Sequence, residues 1–564
     1  MSDRVLSSMS SGASLPPLPP MPAIAGDGIE SNGLLSPRVQ LALIIGAPVV
    51  LGTGLCLYYY YYRHKPDDKG SDRKGNSTKP KTIANNEPNL EDPLQRAIHV
   101  KNLGNKFFKD MKYREAIDCY TKAIRECPTN KEEELATFYQ NRAACHEMLK
   151  MYEEVIDDCD KAVEHNKRYI KALVRRAKAY ESLGDMSSAL FNITAVCILE
   201  QFGNQPNLLM TDRLLREQSK LKAKALFRTR SPRLPSEHFI AHYFMSYSND
   251  PILKSCEPKD IINHLETLRL KQNESNKSLQ EFLLLNGTLE ILKGNIESGE
   301  KELEKLINLD DCEIDIKVNA LIKLGTIKVQ EIGREDSFNL ALECFERAIK
   351  LNDKNPDIYL HRAQIYLLSE RVEDAYKDLE LCCQLNDTFA SAFAQKLYVQ
   401  FRCGVRYNDD STTNKALKGF ETAIKKFSES SELFSLYAQA LMEKGNFEKA
   451  EEYFSKAIEK DPKDGNLYVH KGILFLNSSN DVDKAIKLLE EGKTADPTCQ
   501  FAYEMLGSIA VQKGFLADGI AHFDCALDLA QTELDCAHLY SLRDAAEAQQ
   551  KATKLLDIEL PSNL

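Results

Sequence analysis

The most constraining feature of this chain is a spacing of small residues that starts after residue 94 and keeps returning. In LGNKFFKDMKYREAIDCYTKAIRECP, Leu103, Gly104 and Phe107 are followed by Ala116, Tyr120, Ala123 and Pro128. Small residues thus stand at positions 8, 20 and 27 of a 34-residue frame. Such a frame predicts a helical hairpin: small side chains let two helices approach closely, large ones fill the gap, and the proline stops the second helix. The frame returns at Ala143, Val155, Cys159 and Ala162, and at Ala177, Ala189, Ile193 and Val196. After a gap it resumes at Gly287, Gly325, Ala363, Ala416, Ala438, Gly472 and Gly507. Four residues are inserted in the repeat marked by Gly325 and one in that marked by Gly472. The first helix of the repeat near 390–430 is poorly defined.

This spacing resembles the tetratricopeptide repeat (TPR). The resemblance implies an all-α TPR superhelical solenoid of about ten to eleven repeats, with A-helices lining a concave groove. Three repeats occupy residues 93–205 and a C-terminal array occupies 280–564, closed by a capping helix at 534–555. Residues 206–279 are helical in pattern but lack the frame and read as a helical linker. Composition agrees: among 564 residues there is no Trp, with 21 Pro and 26 Gly, which disfavours a turn-rich β protein. The net charge of −11 argues against nucleic-acid binding, which needs a basic surface.

The N-terminal part has a different composition. Residues 1–37 hold six prolines in a Ser/Gly/Pro-rich stretch that reads as a disordered tail. Residues 38–62 read as a transmembrane anchor, giving the fold an N-terminal single transmembrane helix. Leu41 to Tyr62 is 22 residues without a charge, long enough to cross a hydrocarbon core with some tilt. Tyr58 to Tyr62 suit the headgroup interface. A cleavable signal peptide would begin with a short basic region, whereas residues 1–38 come first here and carry a net charge of −1, Arg4 and Arg38 against Asp3, Asp27 and Glu30. Residues 63–92 form a flexible basic tether. Seven basic and three acidic groups lie in 63–82, a net +4, and the positive-inside rule puts the bulk of the chain in the cytosol.

No catalytic motif is present: the chain lacks G-x-x-x-x-G-K-[ST], G-x-S-x-G and a strand-borne G-x-G-x-x-G. Cys145-His146-Glu147 lacks the second His of a zinc site, and helix neighbours point to different faces. Fifteen Cys without a C-x-x-C read as reduced structural thiols. The chain is therefore expected to be no enzyme and to carry no cofactor and no metal. An enzyme hidden in 206–279 has too little chain and no motif.

The first three repeats hold a sharper pattern. Groove-facing A-helix positions include Lys101 and Asn105, Asn141, and Lys171 and Arg175, three cations and two amides with no acid among the five. Such a set repels itself unless an anion arrives. Arg offers a bidentate fork and Lys a compact charge to a carboxylate. A peptide ending in an acidic residue brings two carboxylates together.

K-x-x-x-N, N-R and K-x-x-x-R resemble the carboxylate clamp of co-chaperone TPR domains. That resemblance implies binding of the C-terminal Glu-Glu-Val-Asp of the seventy- and ninety-kilodalton heat-shock chaperones at Lys101, Asn105, Asn141, Lys171 and Arg175. Over residues 38–564 the architecture resembles the large TPR import receptors of the mitochondrial outer-membrane translocase. This implies a single-pass outer-membrane protein facing the cytosol, with translocase subunits and preproteins such as metabolite carriers as partners. It also implies a second, preprotein-binding groove in the C-terminal array. The repeat frame puts Leu360, Leu367, Leu436, Met442, Val469 and Met505 on that side. The alternative is a co-chaperone or scaffold anchored in the endoplasmic reticulum and facing the cytosol.

Overall fold

The computed structural model describes residues 92–329 and 336–558. The expected tail, anchor and tether lie outside them except for Asp92, and no helix among the described residues is long and apolar enough to cross a membrane. The described residues form 24 α-helices and two short 3-10 turns, and contain no strand. The first hairpin pairs α1 (Pro93–Lys109) with α2 (Tyr113–Glu126). Helix α1 starts where Asp92 accepts from the Leu94 N–H and Pro93 supplies a preset φ. Next come α3 (Glu132–Met148) with α4 (Tyr152–His165), and α5 (Ile170–Ser182) with α6 (Met186–Leu199).

Helices α7 (Gln205–Thr229), α8 (Glu237–Met245) and α9 (Ile261–Lys271) follow. The second array opens with α10 (Asn276–Leu292) and α11 (Ile296–Ile307), then α12 (Ile314–Lys328) and α13 (Ser337–Leu351). It continues with α14 (Pro356–Leu368) and α15 (Val372–Leu385), α16 (Ala390–Arg406) and α17 (Asp410–Lys426), and α18 (Ser431–Glu443) and α19 (Phe447–Lys460). The last pairs are α20 (Gly465–Ser479) with α21 (Val482–Ala495) and α22 (Gln500–Gln512) with α23 (Leu516–Leu529); α24 (Glu533–Leu556) ends the fold. Ten hairpins are therefore present among the described residues, three before α7 and seven after α9.

Each hairpin closes on a small residue of its first helix. A Cβ on Gly104 would stand 2.9 Å from the Tyr120 ring, and one on Gly507 2.7 Å from the Phe523 ring. Ala116, Ala123, Ala438, Ala450 and Ala457 are fully buried. A polar rung recurs beside these contacts. Arg142 grips Asp158 at 2.6–3.1 Å, Arg362 grips Asp378 at 2.7 Å, and Arg176 donates to Asn192 at 2.7 Å.

The hairpin at 390–426 shows why its frame is weak. Its two helices are 17 residues each. Gly404 lies sixteen residues before Phe420, as Gly104 does before Tyr120, but near the end of the first helix. Gly404 still closes on the second helix, where its Cβ would stand 2.4 Å from Thr413 Oγ1, and a second close approach is added two turns earlier, where a Cβ on Gly419 would stand 2.4 Å from Leu397 Cδ2. The fourteen cysteines among the described residues are free, and Cys382 and Cys383 are buried as thiols.

The segment between the arrays is not a bare spacer. Ala223 of α7 packs with Ala526, Leu527 and Leu539. Ala548, Ala552 and Leu556 of α24 pack among Ala189, Leu190 and Leu214. Asp544 of α24, 2 % exposed as a side chain, accepts from Gln218 Nε2 at 2.6 Å and Lys222 Nζ at 2.8 Å. The capping helix therefore closes the second array with one half and enters the first with the other.

Deeper still is the pair Lys323 Nζ–Asp250 Oδ2 at 2.8 Å, both side chains wholly buried. The ammonium lies 4.7 Å from the Phe244 ring centroid and 4.8 Å from that of Tyr247, and burial pulls its pKa down. Lys323→Met leaves Asp250 charged without its partner. It should weaken the local fold by about 3–5 kcal/mol, read as faster amide exchange across 240–254, and Lys323→Met with Asp250→Asn should recover much of it.

His470 is buried against Phe454 and Phe501, with ring centroids 6.3 and 6.0 Å away, and burial lowers its pKa to about 4. The unfolded chain takes up this proton near pH 6.5 and the folded chain does not, so stability is full above that pH and falls as pH drops towards 4. The loss should reach about 3 kcal/mol in pH-dependent denaturation, and His470→Gln should remove that part of the slope.

Candidate functional site

The five expected clamp residues lie on α1, α3 and α5, the first helices of three successive hairpins. Their states differ. The Tyr120 hydroxyl donates to Asn105 Oδ1 at 2.7 Å, and burial pushes the phenol pKa up, keeping it a donor. With its oxygen occupied, Asn105 turns its amide N–H groups to an incoming acceptor. Among the described residues, the side chains of Lys101, Asn141 and Lys171 make no hydrogen bond or ion pair; Lys171 is exposed and the other two are half-buried. Arg175 reaches across to α3, donating from Nε to Glu147 Oε2 at 2.6 Å and from Nη1 to the Gln140 carbonyl at 3.4 Å. That bond to Gln140 brings the guanidinium beside the backbone of Asn141.

The site therefore contains an acid that the five-residue pattern lacks. Glu147 is 34 % exposed as a side chain and holds the fork of Arg175. A cleft of about 380 Å³ opens beside this pair, lined by Glu147, Arg175, Lys178, Glu181, Met210 and Arg213 among others. Arg213 comes from α7 and pairs with Glu181 at 2.5 Å. The wall thus continues past the third hairpin into the segment assigned to the linker. Lys178 was legible in sequence: Lys171, Arg175 and Lys178 follow the i, i+4, i+7 spacing of one helical face. Arg213 carried no such signal.

Arg142, beside Asn141, belongs to the rung with Asp158 and also donates to Thr121 at 3.0 Å. The neighbouring Cys145, His146 and Glu147 have separate surroundings. Burial raises the Cys145 thiol to about 12 and lowers the His146 imidazole, while Glu147 turns to Arg175.

The second group requires a correction. Leu360, Leu367, Leu436 and Val469 are at most 2 % exposed, so they are core side chains with no surface to offer a ligand in this structure. Leu360 and Leu367 share one cluster with Ile240, Phe244 and Tyr247, which come from α8 and the turn after it. Leu436 packs with Tyr398 and Phe401, and Val469 with Leu506 and Ile509. Met442 and Met505 are half-buried at the edges of those clusters.

The cover over this face is a continuous segment. Ser236 Oγ lies 3.4 Å from Asp496, before α22, and His238 lies 2.9 Å from Asp461, before α20. The Tyr247 ring lies tilted against His361 with centroids 4.3 Å apart, and the Ser248 N–H donates to Asp357 at 2.7 Å, both partners being on α14. Asp250 meets Asn319 and Lys323 of α12. As the segment runs forward, its partners step back through the array. Sequence reasoning missed it, although Ile240, Phe244 and Tyr247 stand at i, i+4 and i+7.

The tetratricopeptide repeat family is matched at residues 431–464 and 333–381. The chain is 39 % identical to the human mitochondrial import receptor subunit TOM70 over 577 residues, covering 93 % of this chain and 94 % of the relative. It is 38 % identical to the rat protein of the same name, covering 95 % and 97 %. The crystal structure of yeast Tom70 aligns with a TM-score of 0.44 at 24 % identity, covering 80 % of this chain and 96 % of that one. On these full-length similarities, the chain belongs to the TOM70 family of mitochondrial import receptor subunits.

Proposed function

We propose that this import receptor docks cytosolic heat-shock chaperones through their acidic C-terminal tails on α1, α3 and α5, and passes preproteins to the translocase pore. The supporting observation is the set of donors on those helices. Lys101, Asn141 and Lys171 are unpaired among the described residues, and Asn105 has its oxygen taken by Tyr120. A chain terminus ending in Asp brings a main-chain and a side-chain carboxylate, which suits several separated donors better than a single cation would. Glu147 sets the threshold for entry, because an incoming carboxylate must share or displace its hold on Arg175.

The reading extends to the rest of the chain. Residues 38–62 anchor the protein once in the mitochondrial outer membrane, 63–92 tether it, and the described part stands in the cytosol. Residues 93–205 form the docking unit and 280–564 the preprotein-binding array, joined by 206–279. Preproteins with internal targeting signals, metabolite carriers among them, enter the second array beside Met442 and Met505, whose flexible thioethers adapt to varied apolar surfaces. Tethering raises the local concentration of client at the pore.

Calorimetry with a peptide ending in Glu-Glu-Val-Asp tests the docking. Arg175→Ala should weaken binding at least about thirtyfold, since losing one partner of a desolvated charge pair costs 2–5 kcal/mol or more. Glu147→Gln should bind a few times more tightly than the natural chain. Unchanged affinity in Arg175→Ala, with its helical signal intact, would remove the clamp.

A further inference from the structure

On the A-helix side of the second array, two imidazoles and a carboxylate meet without an evident structural need for all three. His238 and His242 sit at i and i+4 on α8, on one helical face, with ring centroids 4.4 Å apart. Facing them is Asp461, the C-cap of α19, whose backbone N–H donates to the Ala457 carbonyl. His238 Nε2 lies 2.9 Å from Asp461 Oδ1, and His242 Nε2 lies 3.0 Å from Oδ2. The three donor atoms fall within 4.8 Å of one another.

A single carboxylate can balance one imidazolium but not two, and two charged rings this close would repel. The surroundings add negative charge. Asp464 and Glu432 both stand close enough to act on His242. Asp464 is held by the Asn466 N–H at 2.9 Å, and Glu432 by Gln395 at 3.0 Å, so both are fixed beside the rings and neither is paired to a Lys or Arg. Two imidazole nitrogens and a carboxylate oxygen form a donor set for a borderline divalent ion such as zinc, which prefers nitrogen and oxygen in a tetrahedron. Bringing the three atoms onto zinc at about 2.0–2.2 Å requires only a small inward movement of side chains already aimed at one point. The side chains of His238 and His242 keep 24 % and 44 % of their exposure, so an ion can enter from solvent.

We propose that His238, His242 and Asp461 form a zinc site that staples the α8 segment to the turn between α19 and α20. Three protein ligands leave a fourth position for water or for a group from a partner. Because α8 covers the A-helix face between α12 and α22, the ion joins the cover to the array at its middle. Zinc then governs how readily that face is uncovered. Neither the clamp nor the preprotein reading is needed for this, and either can fail without affecting it.

The test is equilibrium dialysis of the full chain against zinc chloride at micromolar free ion, followed by cobalt substitution and amide exchange. The natural chain should hold one equivalent that His238→Asn with His242→Asn loses, and Asp461→Asn should lose it as well. The cobalt form should give the visible bands of a tetrahedral nitrogen–oxygen site without a thiolate charge-transfer band, and zinc should slow exchange across 237–245. Circular dichroism checks that each variant keeps its helices. No zinc in the natural chain, an equivalent kept by every variant, or a thiolate band pointing to an exposed cysteine such as Cys525 would overturn the proposal.

Discussion

The close approach of two helices at a small residue underlies the rest of this structure. Gly104 against Tyr120 and Gly507 against Phe523 leave no room for even one methyl group, and the fully buried alanines behave alike. Close packing in each hairpin presents an apolar flank that cannot be buried within the pair. The flank is covered only by the next hairpin, so the fold propagates along the chain. The arginine rungs to Asp158 and Asp378 help fix the register, because a one-residue slide would leave a buried carboxylate unpaired.

Stacking alone would leave two independent arrays. The connection comes from the region that lacks the repeat frame. Helix α7 packs on the end of the second array, and α24 reaches back into the core of the first, with Asp544 gripped by Gln218 and Lys222 where they cross. The segment after α7 then runs along the A-helix face, where Lys323 and Asp250 form the deepest ion pair of that contact. The face that a solenoid ordinarily offers to a ligand is thus partly occupied by the chain itself.

Much of this was legible beforehand. The ten hairpins follow from the spacing of glycine, alanine and bulky residues, because that spacing is a local steric requirement repeated in order. The weak frame near 390–430 had a local cause too: its small residue, Gly404, stands near the end of the first helix, and a second close approach falls at Gly419. The clamp residues fall on successive first helices for the same reason of periodicity. Glu147 was overlooked because its role depends on reaching Arg175 from a neighbouring hairpin, 28 residues away in sequence. Leu360, Leu367, Leu436 and Val469 were assigned to an open groove because periodicity gives the side of a helix but not what lies on top of it.

The sequence by itself determined the helices, their pairing, and which residues present cations at the first three hairpins, since all of these are set by spacing within one or two turns. Only the tertiary structure decided that α24 belongs to both arrays, that α8 covers the second one, and that His238 and His242 face Asp461. Those arrangements join residues more than two hundred positions apart, such as His238 and Asp461. No local periodicity encodes them; they arise from which apolar faces remain uncovered once every hairpin has found its neighbour.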